Sequence, residues 1–283
     1  MAETIRDPKT MRTRVLEARA AGQRVGFVPT MGALHSGHLS LVEKAKEACD
    51  VVAVSVFVNP SQFGPHEDYE QYPRMLEADK ALLEPMGVQW IFTPDVKDIY
   101  PYGPSGNSTT IVVGGVGDLL EGLIRPGHFS GVATVILKLF HLVPAHSTFF
   151  GAKDWQQTRV VHQLIEDLHL SIELVVCPTI READGLAMSS RNRYLSPDER
   201  RRAVAVVRAL KKAKELWQAT VPLAEIESEM RKIMEEQGFS VDYAVVVDSE
   251  SLEPTLCAGE KIALVAGRIG TTRLIDNCLL SQD

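Results

Sequence analysis

Through the first two-thirds of the chain, short, mainly apolar runs alternate with stretches that read as helices. The runs lie at 25–28, 51–58 (V-V-A-V-S-V-F-V), 88–92, 148–150 and 172–177. A run without polar interruption predicts a strand buried on both faces of a parallel sheet. Helical spacing fills residues 10–21, 75–86, 130–143 and 154–167 between them. A further helix is predicted from about Gly37, with Leu41, Val42, Ala45, Ala48 and Cys49 inward and Glu43, Lys44, Lys46 and Glu47 outward. Strand–helix alternation of this kind predicts an α/β fold, a doubly wound parallel sheet. Ligands bind such sheets beyond the carboxyl ends of the strands, so the loops at 29–38, 59–64 and 149–154 are expected to converge.

The pattern changes after Pro178. Residues 181–194 form a polar loop with three arginines and little periodicity. Ser196-Pro197-Asp198-Glu199 then supplies a capping serine, a proline at the first helical position and a glutamate three residues after the cap. Ala203, Val206, Val207, Leu210, Ala213 and Trp217 predict one apolar face on one continuous helix. A second helix is expected at 223–237, capped by Gly238, with strands at 244–247, 262–266 and 272–275. This part reads as a smaller α+β domain, giving two domains, 1–178 and 179–283, with no internal repeats.

Composition narrows the partners. Lys and Arg number 30 against 37 Asp and Glu, a net charge of −7, which argues against a protein that wraps nucleic acid. No apolar stretch reaches the roughly 18 residues that span a bilayer, and the first residues carry Glu3 and Asp7 rather than a secretory apolar core. Cys49, Cys177, Cys257 and Cys278 are far apart with no C-x-x-C pair, so they read as reduced core thiols of a cytoplasmic protein. Arg200-Arg201-Arg202 stands beside acids and reads as a solvated helix face.

The candidate chemistry sits at residues 25–38, V-G-F-V-P-T-M-G-A-L-H-S-G-H. A strand, a glycine turn and a helix start place His35 and His38 at a helix N-terminus, where unpaired N–H groups and the dipole favour an anion. Alone, such a pair serves equally well as a cap or as half of a zinc site, but no further Cys, His or acid follows at ligand spacing. Gly114-Gly115-Val116-Gly117 lacks the Lys-Ser/Thr of a phosphate loop and reads as a turn. Met188-Ser189-Ser190-Arg191 adds hydroxyls and a forked cation of the type that an outgoing diphosphate requires. Asp154 reads most simply as a cap for the helix that follows it.

P-T-M-G-A-L-H-S-G-H at 29–38, F-V-N-P-S-Q-F at 57–63, E-G-L-I-R-P-G-H-F-S-G-V at 121–132, F-G-A-K-D-W-Q-Q at 150–157, A-M-S-S-R-N at 187–192 and R-L-I-D-N at 273–277 together resemble the pantothenate synthetase family over nearly the whole chain. The resemblance implies a Rossmann-like catalytic domain and a smaller domain that carries the M-S-S-R loop and closes over the site. It implies an ATP-dependent ligase that joins (R)-pantoate to β-alanine through pantoyl adenylate, as a cytoplasmic homodimer using Mg2+. Under it, Met31, Gly32, Ala33, Leu34, His35, Ser36, Gly37 and His38 hold ATP, with His38 the proton donor. Gly151 and Asp154 lie by the ribose, Lys153 by the phosphates and Ile180 by the adenine, with Ala152 also in the ATP site, while Met188, Ser189, Ser190 and Arg191 close on the triphosphate. His35, His38, Lys153 and Arg191 are the implied catalytic set. Asn59, Gln62 and Gln157 read pantoate, Gln62 also meets β-alanine, and Asp79 helps the magnesium, which is held mainly by ATP oxygens. The chain departs from the pattern at Ala152, where many relatives carry an acid, and at Ser61, where Met is common. Two other readings of the same residues are a nucleotidyltransferase that stops after moving AMP to a phosphate ester, and a nucleotide-binding sensor without chemistry. A tRNA-charging enzyme fits the acidic charge poorly.

Overall fold

A computed structural model describes residues 2–65, 67–254 and 259–281 of the chain. Two compact units emerge: residues 1–152 with 156–178, and residues 153–155 with 179–283.

The first unit is built on β1 (Glu3–Ile5), α1 (Pro8–Ala20), β2 (Val25–Thr30), α2 (Ser36–Ala48), β3 (Val51–Val56), α3 (Leu76–Leu83), β4 (Trp90–Phe92), α4 (Val96–Ile99), α5 (Glu121–Ile124), α6 (His128–Leu142), β5 (Ser147–Gly151), α7 (Trp155–Asp167) and β6 (Glu173–Cys177). Its six strands form one parallel sheet in the order β1-β4-β3-β2-β5-β6. The apolar runs have the expected cause. Val25 and Phe27 of β2, with Val51 and Ala53 of β3, face one core with α1, α6 and α7. Val28, Val52 and Val54 face the other, with Leu41, Val42 and Ala45 of α2 and Leu83 of α3. Burial on both faces removes the need for polar alternation.

Local chemistry shifts several boundaries. Helix α1 begins earlier than its apolar spacing suggests, because Asp7 Oδ2 accepts from Thr10 N at 2.7 Å and Pro8 takes the first helical position. Strand β2 runs through Pro29 instead of stopping there. Thr30 O accepts from Phe57 N on the β3 side, so Pro29 faces the β5 side, where pairing already ends at Phe27. The absent N–H therefore costs no ladder bond. Ala48 is exposed and Cys49 half-buried, so the inward face of α2 ends at Ala45.

The second unit packs α8 (Pro197–Arg202), α9 (Ala205–Gln218) and α10 (Leu223–Glu235) with an antiparallel meander of β7 (Ser240–Asp248), β8 (Lys261–Ile269) and β9 (Thr272–Leu280). Ser196 caps α8 with the expected reciprocal box to Glu199. The single helix expected from there to Trp217 is in fact two. At the break the bond of Val206 N reaches Ala203 O, three residues back, before the four-residue spacing resumes at Arg208 N to Val204 O. The strands exceed their apolar windows, because β9 continues through Arg273, Asp276 and Asn277 in regular register with β8.

Cys177 is buried, Cys49 and Cys278 are half-buried, and burial pushes all three thiols up, Cys278 to about 11. They stay protonated and unreactive. Cys257 lies outside the described residues. Among the described residues, no helix is long and apolar enough to cross a membrane.

Candidate active site

At the carboxyl end of β2 the chain turns through Gly32 (φ +81°) and Ala33 (φ +52°) before entering α2. Two successive left-handed residues, one of them not glycine, need an outside hold. Asp79 of α3 provides it: buried to 1% exposure, it accepts from Ala33 N at 3.0 Å and Leu34 N at 2.7 Å. Thr30 Oγ1 accepts from Gly32 N at 3.2 Å and donates to Ser55 O at 2.6 Å. A Cβ on Gly32 would lie 2.9 Å from Asp79 Oδ2, so glycine and carboxylate fit as a pair.

The held loop delivers His35 to the capping position of α2 in extended backbone, without a side-chain cap bond. His38 lies one turn on, and the two rings stack tilted by 34° with centroids 4.1 Å apart. Sequence spacing thus brings both imidazoles to one helix start, as expected. Ala33 and Leu34, expected among the ATP-holding residues, have side chains 1% and 3% exposed and N–H groups that point at Asp79. They shape the loop from inside. Met31, His35, Gly37 and His38 are half-buried, and Ser36 is exposed.

From the neighbouring strand β3 the chain enters a 3-10 turn, Pro60–Gln62, capped by Asn59. Asn59 is 2% exposed and fully engaged. Its Nδ2 donates to Gln62 Oε1 at 3.0 Å and to Gly131 O at 3.2 Å, and its Oδ1 accepts from Tyr100 Oη at 2.8 Å and Ser61 Oγ at 2.9 Å. Asn59, expected near the pantoate, braces Gln62. Ser61, one of the two departures from the family pattern, joins this network: its Oγ also lies 2.8 Å from Tyr100 Oη, and with one hydrogen on each hydroxyl two of the three contacts among Ser61, Tyr100 and Asn59 Oδ1 are hydrogen bonds at a time. Burial raises the Tyr100 phenol, which therefore stays protonated. Gln62 Nε2 reaches Met31 Sδ at 3.3 Å, joining the amide turn to the histidine loop.

A cluster to which sequence reasoning gave no role lies behind Gln62. Arg125 grips Glu67 with two bonds, at 2.6 and 2.7 Å, and lies 3.8 Å from Glu121. His128 Nε2 is 3.0 Å from Arg125 Nη1, and its Nδ1 is 2.8 Å from Gln62 O. Burial and the neighbouring guanidinium push His128 down to about 4. Burial alone would raise Glu67, but its bonds to Arg125 hold it at about 2. The R-P-G-H run at 125–128 was the signal in the sequence.

The adjacent glutamines of α7 separate by role. Gln156, 4% exposed, accepts from Glu121 N and donates to Val116 O and Leu119 O, fastening the glycine turn. Gln157 is half-buried. Gly151 and Ala152 are also half-buried at the carboxyl end of β5.

Within the second unit, Lys153 Nζ is 3.5 Å from Asp154 Oδ1, and Lys153 O accepts from Asn277 Nδ2 at 2.8 Å. Asp154 directly precedes α7, where a cap was expected. Ile180 and Met188 meet, Met188 N donating to Ile180 O at 2.9 Å. Ser189 caps a 3-10 turn, Ser190–Tyr194, by accepting from Arg191 N, and Ser190 is buried. Acids hold this loop from behind. Arg200 bridges Glu182 and Asp184 at 2.6 Å each, Asn192 Nδ2 donates to Glu182 Oε1 at 2.7 Å, and Arg181 binds Asp276 at 2.6 Å. Arg200 is therefore a loop brace, while Arg201 and Arg202 pair with Asp198.

Asp79, expected to help the magnesium, accepts one backbone N–H on each carboxylate oxygen. Among the described residues there is no group of three or more His, Cys, Asp or Glu side chains arranged to hold a metal.

Similarity to known proteins gives the family. Residues 3–279 match the family model described as pantoate-beta-alanine ligase. The chain is 46% identical over 281 residues to a pantothenate synthetase of Thermodesulfovibrio yellowstonii, covering 98% of this chain and 99% of that one. It is 47% identical over 277 residues to a pantothenate synthetase of Rhodopirellula baltica, covering 97% and 98%. Among solved structures, pantothenate synthetase from Thermus thermophilus superposes with a TM-score of 0.91 at 44% identity, covering 98% of this chain and 99% of that one. Pantoate-beta-alanine ligase from Francisella tularensis, in complex with beta-gamma ATP and β-alanine, gives 0.82 at 35% identity over 99% and 98%. With the match running nearly from end to end, the chain belongs to the pantoate-beta-alanine ligase family.

Proposed function

We propose that this chain condenses (R)-pantoate with β-alanine at the expense of ATP, giving (R)-pantothenate, AMP and diphosphate. The observation that carries the reading is the contact of Gln62 with Met31, which sets an acid-reading amide beside the His35–His38 helix start. In the first step a pantoate carboxylate oxygen attacks the α-phosphorus of ATP, the bond to the bridging oxygen breaks and diphosphate leaves. In the second the β-alanine nitrogen attacks the carbonyl of pantoyl adenylate, the C–O bond to AMP breaks and the nitrogen loses a proton.

The two imidazoles at the start of α2 act on charge that grows on the phosphates, with His38 supplying a proton. Gln62, with Gln157, orients the acid. Lys153 and Arg191 offset the charge of the outgoing diphosphate, and Ser189, Ser190 and Met188 line the same phosphates; Ile180 lies by the adenine, Gly151 and Asp154 by the ribose. Magnesium would be held mainly by ATP oxygens, with Asp79 as the helper that the family resemblance implies. The reading includes a cytoplasmic homodimer, checked by sedimentation at twice the monomer mass.

Exchange of labelled diphosphate into ATP tests the order of steps. It should require pantoate and not β-alanine, and exchange supported only by a phosphate ester would point to a nucleotidyltransferase instead. His35→Ala and His38→Ala should each slow exchange on the order of a hundredfold to a thousandfold, by analogy with the loss of oxyanion donors. Near-normal exchange in both would remove these histidines from the chemistry.

A further inference from the structure

Residues 121–132 carry much of the family likeness, yet none of them has a role in the reaction as written above. We propose that His128, clamped by Arg125 and Glu67, is a positioning residue that aims the Gln62 amide at pantoate. The inference rests on the reading that Gln62 meets that acid.

The proton positions follow from donor chemistry. Arg125 has only hydrogens to offer, so at 3.0 Å His128 Nε2 accepts. The single ring proton of neutral His128 is then on Nδ1 and is donated to Gln62 O at 2.8 Å. Arg125 cannot swing away, because two bonds tie it to Glu67, and Glu67 also accepts from Gly64 N at 3.2 Å, just beyond the turn. The turn is thus gripped on both sides of Gln62.

One turn further along α6 the backbone grips it again. A Cβ on Gly131 would lie 2.2 Å from Ser61 O and 2.7 Å from Gln62 Cα, so only glycine allows this approach. Gly131 O also accepts from Asn59 Nδ2, whose other bond occupies Gln62 Oε1. The oxygen of the Gln62 amide is therefore held by Asn59, and Nε2, one of whose two hydrogens points at Met31 Sδ, keeps the other for a ligand. The amide presents N–H, which selects an acceptor such as a carboxylate or hydroxyl oxygen. The charged groups facing His128 are Arg125, Glu67 and Glu121, and with the ring neutral each keeps its partner.

Steady-state kinetics of His128→Ala, His128→Asn, Glu67→Gln and Gln62→Ala test the assignment, with thermal melts run on each. His128→Ala should raise KM for pantoate about tenfold, as expected for one lost buried hydrogen bond, and leave KM for ATP within about twofold. His128→Asn, whose Nδ2 can donate where the ring Nδ1 did, should restore most of the loss. Glu67→Gln, which loosens the clamp without opening a cavity, should shift the same constant about threefold, and it decides the matter with His128→Asn if His128→Ala does not fold. An unchanged KM for pantoate in His128→Ala, alongside a raised one in Gln62→Ala, would overturn the inference and leave the reading intact. Equal loss for both substrates, without rescue by asparagine, would also overturn it. An unchanged KM in Gln62→Ala would instead overturn the reading of Gln62 itself.

Discussion

Single buried side chains set the geometry of the histidine loop. Asp79 holds two N–H groups across a pair of left-handed residues, so Asp79→Ala would leave both donors buried without an acceptor. A stability loss on the order of 2–4 kcal/mol is expected, with turnover falling more than KM for pantoate, measurable by denaturant titration and steady-state kinetics. His128 makes a pH prediction. Its folded value of about 4 lies below the ordinary 6.5, so the unfolded chain binds the extra proton first and stability falls as pH drops from about 6.5 toward 4. Glu67 acts in a lower window, because its stabilisation is complete above its ordinary 4.5 and is lost only as pH falls toward 2. His146, also lowered by burial, shares the sign of His128. Denaturation midpoints at pH 7 and pH 5 should therefore differ more in the native chain than in His128→Asn. Equal differences would remove His128 from the pH response. Residue types pointed to the His35–His38 helix start, and the motifs to Gln62. The partners of Asp79, Asn59 and His128 were not legible, because bonds to backbone atoms 46, 72 and 66 positions away leave no periodic trace.

Elements were legible wherever burial imposed a pattern. Strands β2 and β3, covered on both faces, appear as unbroken apolar runs, and the box at Ser196–Glu199 marked the start of α8 to the residue. The break between α8 and α9 was not visible, because Ala203 and Val206 continue the same apolar face across it. The approach of α6 to the 59–62 turn was equally hidden, as a glycine inside an apolar helix reads only as a weak helix former. Gly131→Ala tests that approach. Its Cβ would meet the backbone of Ser61 and Gln62, so helix and turn must separate, at a cost of about 1–3 kcal/mol in stability and with a raised KM for pantoate. Wild-type stability and KM in that variant would show that the two elements do not need this contact.

At the scale of the whole molecule, a match over residues 3–279 places the chain in one ligase family, and each unit carries its own core. The parallel sheet was legible from strand–helix alternation, whereas the grouping of residues 153–155 with the second unit was not, since those residues belong to the F-G-A-K-D-W-Q-Q motif that begins on β5. Asn277, near the far end of the chain, is what ties Lys153 there. The central claim is amide formation driven by cleavage of ATP to AMP. It is tested most directly by incubating the purified chain with ATP, pantoate and β-alanine and quantifying AMP and the amide together. Equal amounts of AMP and pantothenate are expected, with sustained AMP formation only when all three substrates are present; AMP released at the same rate without β-alanine, or no pantothenate from folded protein, would contradict it.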